Sequence, residues 1–83
     1  MPDSEETTRR YIRNLIADML EINPACLAET DLLADHGADS LVLVEIVGAL
    51  ERTLGITVTP HDVGRMVDLR GVYAVVEAAR PTS

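Results

Sequence analysis

The chain has 83 residues and a formal net charge of −7, from 14 acidic and 7 basic side chains. A chain of this length supports one core and leaves no room for a substrate pocket with its own lid, which argues against a solitary catalytic domain. The acidic balance also disfavours nucleic acid as a partner, because phosphate binding draws on clustered Lys and Arg. We therefore expect a single monomeric domain over residues 1–83, structured over about 4–80.

The acids are concentrated in the middle of the chain. From Asn14 to Glu51 there are eight acids and no Lys or Arg, so this region is expected to attract basic partners. Cys26 is the only cysteine, which excludes an intramolecular disulfide and a cysteine-based metal cage. We predict a small loop-packing role for it. A lone cysteine suits a reducing cytoplasm, and no run approaches the ~20 apolar residues that span a bilayer, so we expect a cytoplasmic protein without membrane association.

The first predicted element is an amphipathic helix over residues 4–20. Asp3 and Glu6 form a predicted capping box at its start, and apolar residues follow at helical spacing. Asn23-Pro24 ends this region, and a long structured loop with room for one helical turn leads to Asp39. Such a loop is expected to cover the core with its apolar residues. These residues are Leu27, Leu32 and Leu33.

A second helix is predicted from Ser40 to about Leu54. Gly37 can adopt a positive φ before this helix and Asp39 can cap it, while Gly55 is placed to stop it. Its apolar residues recur at helical spacing and predict one buried stripe. The stripe consists of Leu43, Ile46, Val47, Leu50 and Leu54.

The last third of the chain predicts a connector and two further helices. Residues 56–58 alternate like a strand but have no partner strand, so we expect an extended connector with Ile56 and Val58 inward. Thr59-Pro60 begins a short helix that Gly64 weakens. Asp68 can cap a final helix that ends near residues 80–81. Its predicted inward residues are Leu69, Val72, Tyr73, Val76 and Ala79.

These elements predict an all-α fold. Only two residues are aromatic while 47% of the chain is hydrophobic, which suits an aliphatic core between packed helices. We expect a small four-helix bundle of three longer helices and one short one, with the longest loop between helices one and two.

Ser40 begins the second helix, directly after Asp39 and the glycine-bearing turn. Unpaired backbone N–H groups and the helix dipole favour a negatively charged substituent at this point, so a phosphodiester on the serine oxygen would be well placed. The commonest explanation of an Asp-Ser pair at the start of a helix is nevertheless that both residues are ordinary helix-capping residues. The surrounding residues are needed to distinguish an attachment site for a phosphodiester from an ordinary helix cap.

Those residues resemble the signature of acyl carrier proteins. The resemblance lies in Asp35-His36-Gly37-Ala38-Asp39-Ser40-Leu41, followed by Val44-Glu45-Ile46-Val47 and Leu50-Glu51. It extends over nearly the whole chain, because the first helix, the long loop, the Leu54-Gly55-Ile56 turn, the Thr59-Pro60 start and the final helix recur in the family's order.

The resemblance implies that Ser40 accepts phosphopantetheine from coenzyme A, through a separate phosphopantetheinyl transferase that uses magnesium. The arm ends in a thiol that holds acyl groups as thioesters, and the carrier itself catalyses nothing and binds no metal. Asp39 would support the serine or the transferase's metal. The implied docking surface for partner enzymes comprises Leu41, Val42, Val44, Glu45, Gly48 and Glu51. Reversing the two glutamates of this surface to Arg is expected to slow partner reactions at a cost of only ~0.5 kcal/mol in stability.

Several residues depart from the fatty-acid carriers of the family. Val42-Leu43-Val44 comes directly after Leu41, in a helix that usually carries many acidic residues in those carriers. Arg52 interrupts the later acids of this helix. His36 stands where leucine is common, and Gly48 where a larger apolar residue often contacts partners. We therefore favour a stand-alone carrier for polyketide or other specialised biosynthesis, served by a ketosynthase, an acyltransferase or a ligase. A fatty-acid carrier and an aminoacyl or peptidyl carrier remain alternatives.

Two other classes of function are alternatives to a carrier. A serine hydrolase would pair Ser40 with His36 or His61, but the glycine pattern of a nucleophile elbow is absent around Ser40. An unmodified acidic interaction module shares the predicted fold and surface, and only the arm distinguishes it from a carrier. The acids from Asp31 to Glu45 do not follow the spacing of a calcium loop.

Overall fold

The structure, a computed structural model, describes residues 4–79 and the side chains from residue 6 onward. Four helices follow one another in this part of the chain: α1 (Ser4–Leu20), α2 (Ser40–Leu54), α3 (Pro60–Val63) and α4 (Leu69–Ala79). Residues 4–79 contain no strand, which confirms the all-α prediction of three longer helices and one short one. Asp3 of the predicted capping box, and the predicted end of the last helix at residues 80–81, lie outside the described residues.

The core is aliphatic, with Tyr73 as its one aromatic member. α1 packs against both α2 and α4, and the connector after α2 turns its alternate residues inward as predicted. No polar or charged residue is buried among the described residues. The side chains with at most 1% exposure are Ile12, Ile16, Ala17, Leu33, Ile46, Leu50, Met66, Leu69, Val72, Val75 and Val76. Met66 and Val75 were not in the predicted stripes.

The long loop between α1 and α2 contains two 3₁₀ turns, Pro24–Cys26 and Leu33–His36, where a single helical turn was expected. Leu27 and Leu33 are buried as predicted, but Leu32 is 49% exposed, so its predicted core role is wrong. Leu32 is extended, with φ −69° and ψ 129°, and its neighbour Leu33 begins the second turn. The two adjacent leucines therefore cannot both point inward.

The segment between α3 and α4 comes very close to the first turn of α4. Thr59 and Asp62 form a reciprocal capping box at α3, and this helix ends after one turn. The chain then runs beside Gly71, where an added Cβ would lie 2.0 Å from the Arg65 carbonyl oxygen. Asp68 caps α4, since its carboxylate accepts the N–H of Gly71 at 2.8 Å.

Polar contacts on the outside of the bundle join α1 to α4. The Arg9 guanidinium lies 5.3 Å from the centre of the Tyr73 ring, and one of its nitrogens lies 3.0 Å from the Glu77 carboxylate. Burial raises the pKa of the Tyr73 phenol. Both partners of the ion pair are exposed, and such pairs contribute about 0–1 kcal/mol. Within residues 4–79, no helix is long and apolar enough to cross a lipid bilayer.

Candidate functional site

Ser40 is the first residue of α2 and is exposed to solvent. Asp39 precedes it as the N-cap, with extended backbone, and its carboxylate accepts the N–H of Val42 at 2.9 Å. The Asp39 carbonyl accepts the N–H of Leu43 at 2.9 Å. The cap therefore satisfies the third and fourth N–H groups of the helix and leaves the serine hydroxyl at its open end.

The first two N–H groups of α2 stay available. Within residues 4–79, the N–H of Ser40 and the N–H of Leu41 form no hydrogen bond. Unpaired N–H groups and the positive end of the helix dipole stabilise a negative charge by about 0.3–1 kcal/mol at an exposed site. A phosphodiester on the Ser40 oxygen therefore fits this position, both sterically and electrostatically.

The chain before Ser40 is anchored to the core. Gly37 adopts a left-handed conformation at φ 96°, which an L side chain rarely adopts. It turns the chain so that Ala38 is buried and donates its N–H to the Leu33 carbonyl at 3.1 Å. Leu33 in turn donates its N–H to the Val67 carbonyl, 2.9 Å away in the segment before α4. These contacts attach the start of α2, where Ser40 lies, to the core.

A second set of contacts closes the loop further from Ser40. His36 Nε2 lies 3.1 Å from Asp31 Oδ2, and the same carboxylate oxygen accepts the N–H of Ala28 at 3.1 Å. These hydrogen bonds, that of His36 first, hold the pKa of the Asp31 carboxyl below its ordinary value. His36 therefore has a structural role in the loop.

This arrangement predicts how the loop responds to acid. A carboxyl whose pKa is depressed by folding contributes stability above its unfolded pKa, and this stability is lost as the pH falls through the folded pKa. We expect Asp31→Asn to lower the unfolding midpoint at neutral pH, and the difference from the wild type to shrink in the pH range below the carboxyl's ordinary pKa of 3.8. Thermal unfolding across that range measures it. A difference that is constant with pH would contradict the role given to the Asp31 charge.

α2 exposes two large apolar side chains beside Ser40. Leu41 is 67% exposed and Val44 is 64% exposed, and Glu45 next to them is exposed as well. Neighbouring exposed apolar residues with a charged rim are typical of a surface that contacts another protein. These three residues of the predicted docking surface therefore lie together and face solvent.

Val42 does not share that surface. It packs against the core as a partly buried residue, and so does Leu43. Successive helical residues are rotated by about 100°, so a run of three spreads around the helix and cannot present one face. Val42 of the predicted docking surface is therefore half-buried, and of Val42, Leu43 and Val44 only Val44 points outward.

Glu51 has a contact that was not predicted. Its carboxylate accepts the N–H of Val58 at 2.9 Å and so fastens the connector after α2 to that helix. Val58 is 8% exposed, and its N–H has no partner in a strand. The expectation that Glu51 is an ordinary exposed docking carboxylate therefore needs correction.

We expect Glu51→Ala to lower the free energy of unfolding by about 1–3 kcal/mol, because it leaves a part-buried N–H without an acceptor. Glu45→Ala is the matched control on the same helix, and its cost should stay within ~0.5 kcal/mol. Urea unfolding of both variants measures the difference. Equal costs for the two variants would show that the Val58 contact contributes nothing to stability.

The remaining candidates do not converge on Ser40. In residues 4–79, no hydrogen bond joins His36 or His61 to Ser40, and no group of three His, Cys, Asp or Glu residues is placed to hold a metal ion. Cys26 is exposed at the end of the first 3₁₀ turn, so its predicted packing role in the loop is wrong.

Comparison with known proteins agrees with this geometry. The family model described as "Phosphopantetheine attachment site" matches residues 10–78. The chain is 43% identical over 72 residues to "Polyketide-8 synthase acyl carrier protein 1" of Streptomyces avermitilis. This alignment covers 86% of this chain and 86% of the relative. The chain is 28% identical over 79 residues to "Polyketide-8 synthase acyl carrier protein 2" of the same organism. This alignment covers 92% of this chain and 91% of the relative.

An "Acyl carrier protein" of Campylobacter hominis is 30% identical over 67 residues, covering 80% of this chain and 85% of the relative. The family model spans most of the helical bundle, including the start of α2 with Asp39 and Ser40. The cofactor of this family is phosphopantetheine. The chain therefore belongs to the acyl carrier proteins, the family that bears a phosphopantetheine arm.

Proposed function

We propose that Ser40 carries the phosphopantetheine arm and that the chain presents acyl intermediates of a polyketide pathway to partner enzymes. The observation that supports this most directly is the geometry of Ser40, which is exposed at the start of α2 with two free N–H groups beside it. The hydroxyl is accessible to a transferase, and the helix start stabilises the phosphodiester that results.

Asp39 has a supporting role in this proposal. Its carboxylate accepts the N–H of Val42, which fixes the backbone of the first helical turn on which Ser40 lies. The acid is itself exposed and can engage a transferase-bound cation. The carrier contributes no catalytic group: the arm supplies a thiol that holds acyl groups as thioesters, and the tether keeps the acyl group at a high effective concentration for each partner.

The polyketide assignment is supported by the relatives. Identity to the polyketide-8 synthase carrier is 43%, against 30% to the Campylobacter acyl carrier protein. The exposed apolar pair, Leu41 and Val44, also gives this carrier a less acidic surface beside the serine than a helix crowded with acids would have. Its partners would then be a phosphopantetheinyl transferase and the ketosynthase, acyltransferase or ligase of one cytoplasmic pathway, acting on a single-domain monomer.

The test is incubation of the purified chain with coenzyme A, magnesium and several phosphopantetheinyl transferases, followed by intact mass spectrometry. We expect the wild type to gain the mass of one phosphopantetheine. A chain that no transferase modifies would refute the carrier function and favour the unmodified interaction module. The pathway is tested separately, by the mass of the cargo on the arm after isolation from the producing cell, where an aminoacyl group would contradict the polyketide assignment.

A further inference from the structure

One stripe along α2 faces away from the core and carries a side chain of each charge. Its residues follow one another at spacings of three or four, which places them on one face of a helix. The stripe consists of Leu41, Glu45, Gly48 and Arg52. On the opposite side of the helix, Ile46 and Leu50 are fully buried. A protein that approaches Ser40 along this helix therefore meets an apolar residue, an acid and then a cation.

Gly48 allows the cation to lie on the helix. A Cβ at residue 48 would be 3.2 Å from Nη1 of Arg52 and 4.0 Å from its Cζ, so the guanidinium folds back over the bare backbone of the glycine. Arg52 is exposed and forms no ion pair with any side chain of residues 6–79. Its charge is therefore available to a partner at a defined place on the stripe.

The two charges act separately on a partner. The guanidinium of Arg52 lies over Gly48, about one helical turn from Glu45, and the two side chains form no ion pair with each other. A partner therefore meets an acid and a cation at two points and not a neutral average.

A partner that acts on Ser40 also reaches Arg52. The Arg52 guanidinium lies over Gly48, about 12 Å from Ser40 along α2, and a standard interface of about 800 Å² per protein extends roughly 16 Å from its centre. A uniformly basic partner surface would bring a cation against Arg52, which is repulsive, while an acid at that place would attract it. The position of Arg52 thus restricts which partners fit.

Resting on the proposed carrier function, we infer that the ketosynthase partner of this chain has a docking surface of mixed charge. It places a basic side chain opposite Glu45 and an acidic side chain opposite the Arg52 guanidinium, about one helical turn further along α2. Leu41 and Val44 provide the apolar contact between this pair and Ser40. Arg52 is then a specificity residue that selects against ketosynthases with only basic side chains on this surface.

The experiment measures acetyl transfer from the loaded carrier to two ketosynthases of known structure. One has an acid and a base at the matching separation on its docking surface, and the other has basic side chains only. The carrier variants are wild type, Arg52→Glu, the neutral Arg52→Gln, and Arg70→Glu on α4 as a control with the same change in net charge. Rates are followed by intact mass at low and at high salt.

We expect Arg52→Glu to slow transfer to the mixed-charge enzyme by about two- to fivefold at low salt and to speed transfer to the basic enzyme by a similar factor. Arg52→Gln should show smaller shifts in the same directions, Arg70→Glu should leave the ratio of the rates unchanged, and high salt should reduce all effects. An unchanged ratio, or equal slowing with both enzymes, would overturn the inference. A wild type that takes up no arm would overturn the proposed function instead.

Discussion

Replacing Ser40 by alanine is expected to abolish attachment of phosphopantetheine and to leave the helical bundle intact. The change removes the one hydroxyl that lies at the open end of α2 beside the free N–H groups. The cap itself survives, because Asp39 and not Ser40 accepts the N–H of Val42. The stability cost should therefore stay within ~0.5 kcal/mol. Intact mass after incubation with a transferase and coenzyme A measures the loss.

Asp39→Ala is the matched control for the Ser40 variant. It removes the N-cap and should lower the free energy of unfolding by about 1 kcal/mol, but it retains the hydroxyl. We expect this variant to be loaded more slowly and still to completion. Loss of loading in Ser40→Ala alone would then identify the missing nucleophile as the cause. A Ser40→Ala chain that still gains the mass of the arm would place the attachment on another residue.

Gly71→Ala is expected to destabilise the fold by about 3 kcal/mol, at the upper end of the usual cost of overpacking. The added Cβ would lie 2.0 Å from the carbonyl oxygen and 3.2 Å from the carbonyl carbon of Arg65, and 3.4 Å from the Asp68 carboxylate. The first two atoms belong to the backbone, so the segment before α4 has to move. That segment includes Met66, which is 1% exposed, and the movement would open the core.

Gly48→Ala is the control for a glycine inside a helix. Its Cβ would meet only the far end of the flexible Arg52 side chain, which can move aside. Alanine is favoured over glycine in a helix interior by about 0.5–1 kcal/mol, so this variant should be slightly more stable than the wild type. Urea unfolding of the two variants gives the comparison. A Gly71→Ala chain as stable as the wild type would contradict the close approach of the Arg65 backbone to residue 71.

The elements of the fold were predictable because their signals are local. Helical spacing of apolar residues placed α1, α2 and α4, and Gly55 marked the end of α2 where the chain adopts a left-handed conformation at φ 67°. Ser40 stood out for the same kind of reason, since its neighbours in sequence carry the resemblance to the family. Spacing, caps and short motifs are read from consecutive residues, without knowledge of what packs where.

Contacts between distant residues were not predictable in this way. The carboxylate of Glu51 looked like one more acid on an exposed helix, and only the folded connector brings the N–H of Val58 within 2.9 Å of it. The exposure of Leu32 depends in the same way on the turn that follows it. The close approach of Arg65 to Gly71 has no signal in the sequence except the glycine itself.

The family, the helical elements and the serine proposed to carry the arm therefore follow from local signals in the sequence. Tertiary structure decided which side chains around that serine face a partner: Leu41 and Val44 are exposed, Val42 packs against the core, and Glu51 holds the connector. The physical reason is that helix formation depends on neighbours along the chain. Exposure and hydrogen bonding of a side chain depend instead on which segments pack beside it, and those segments are far away in sequence.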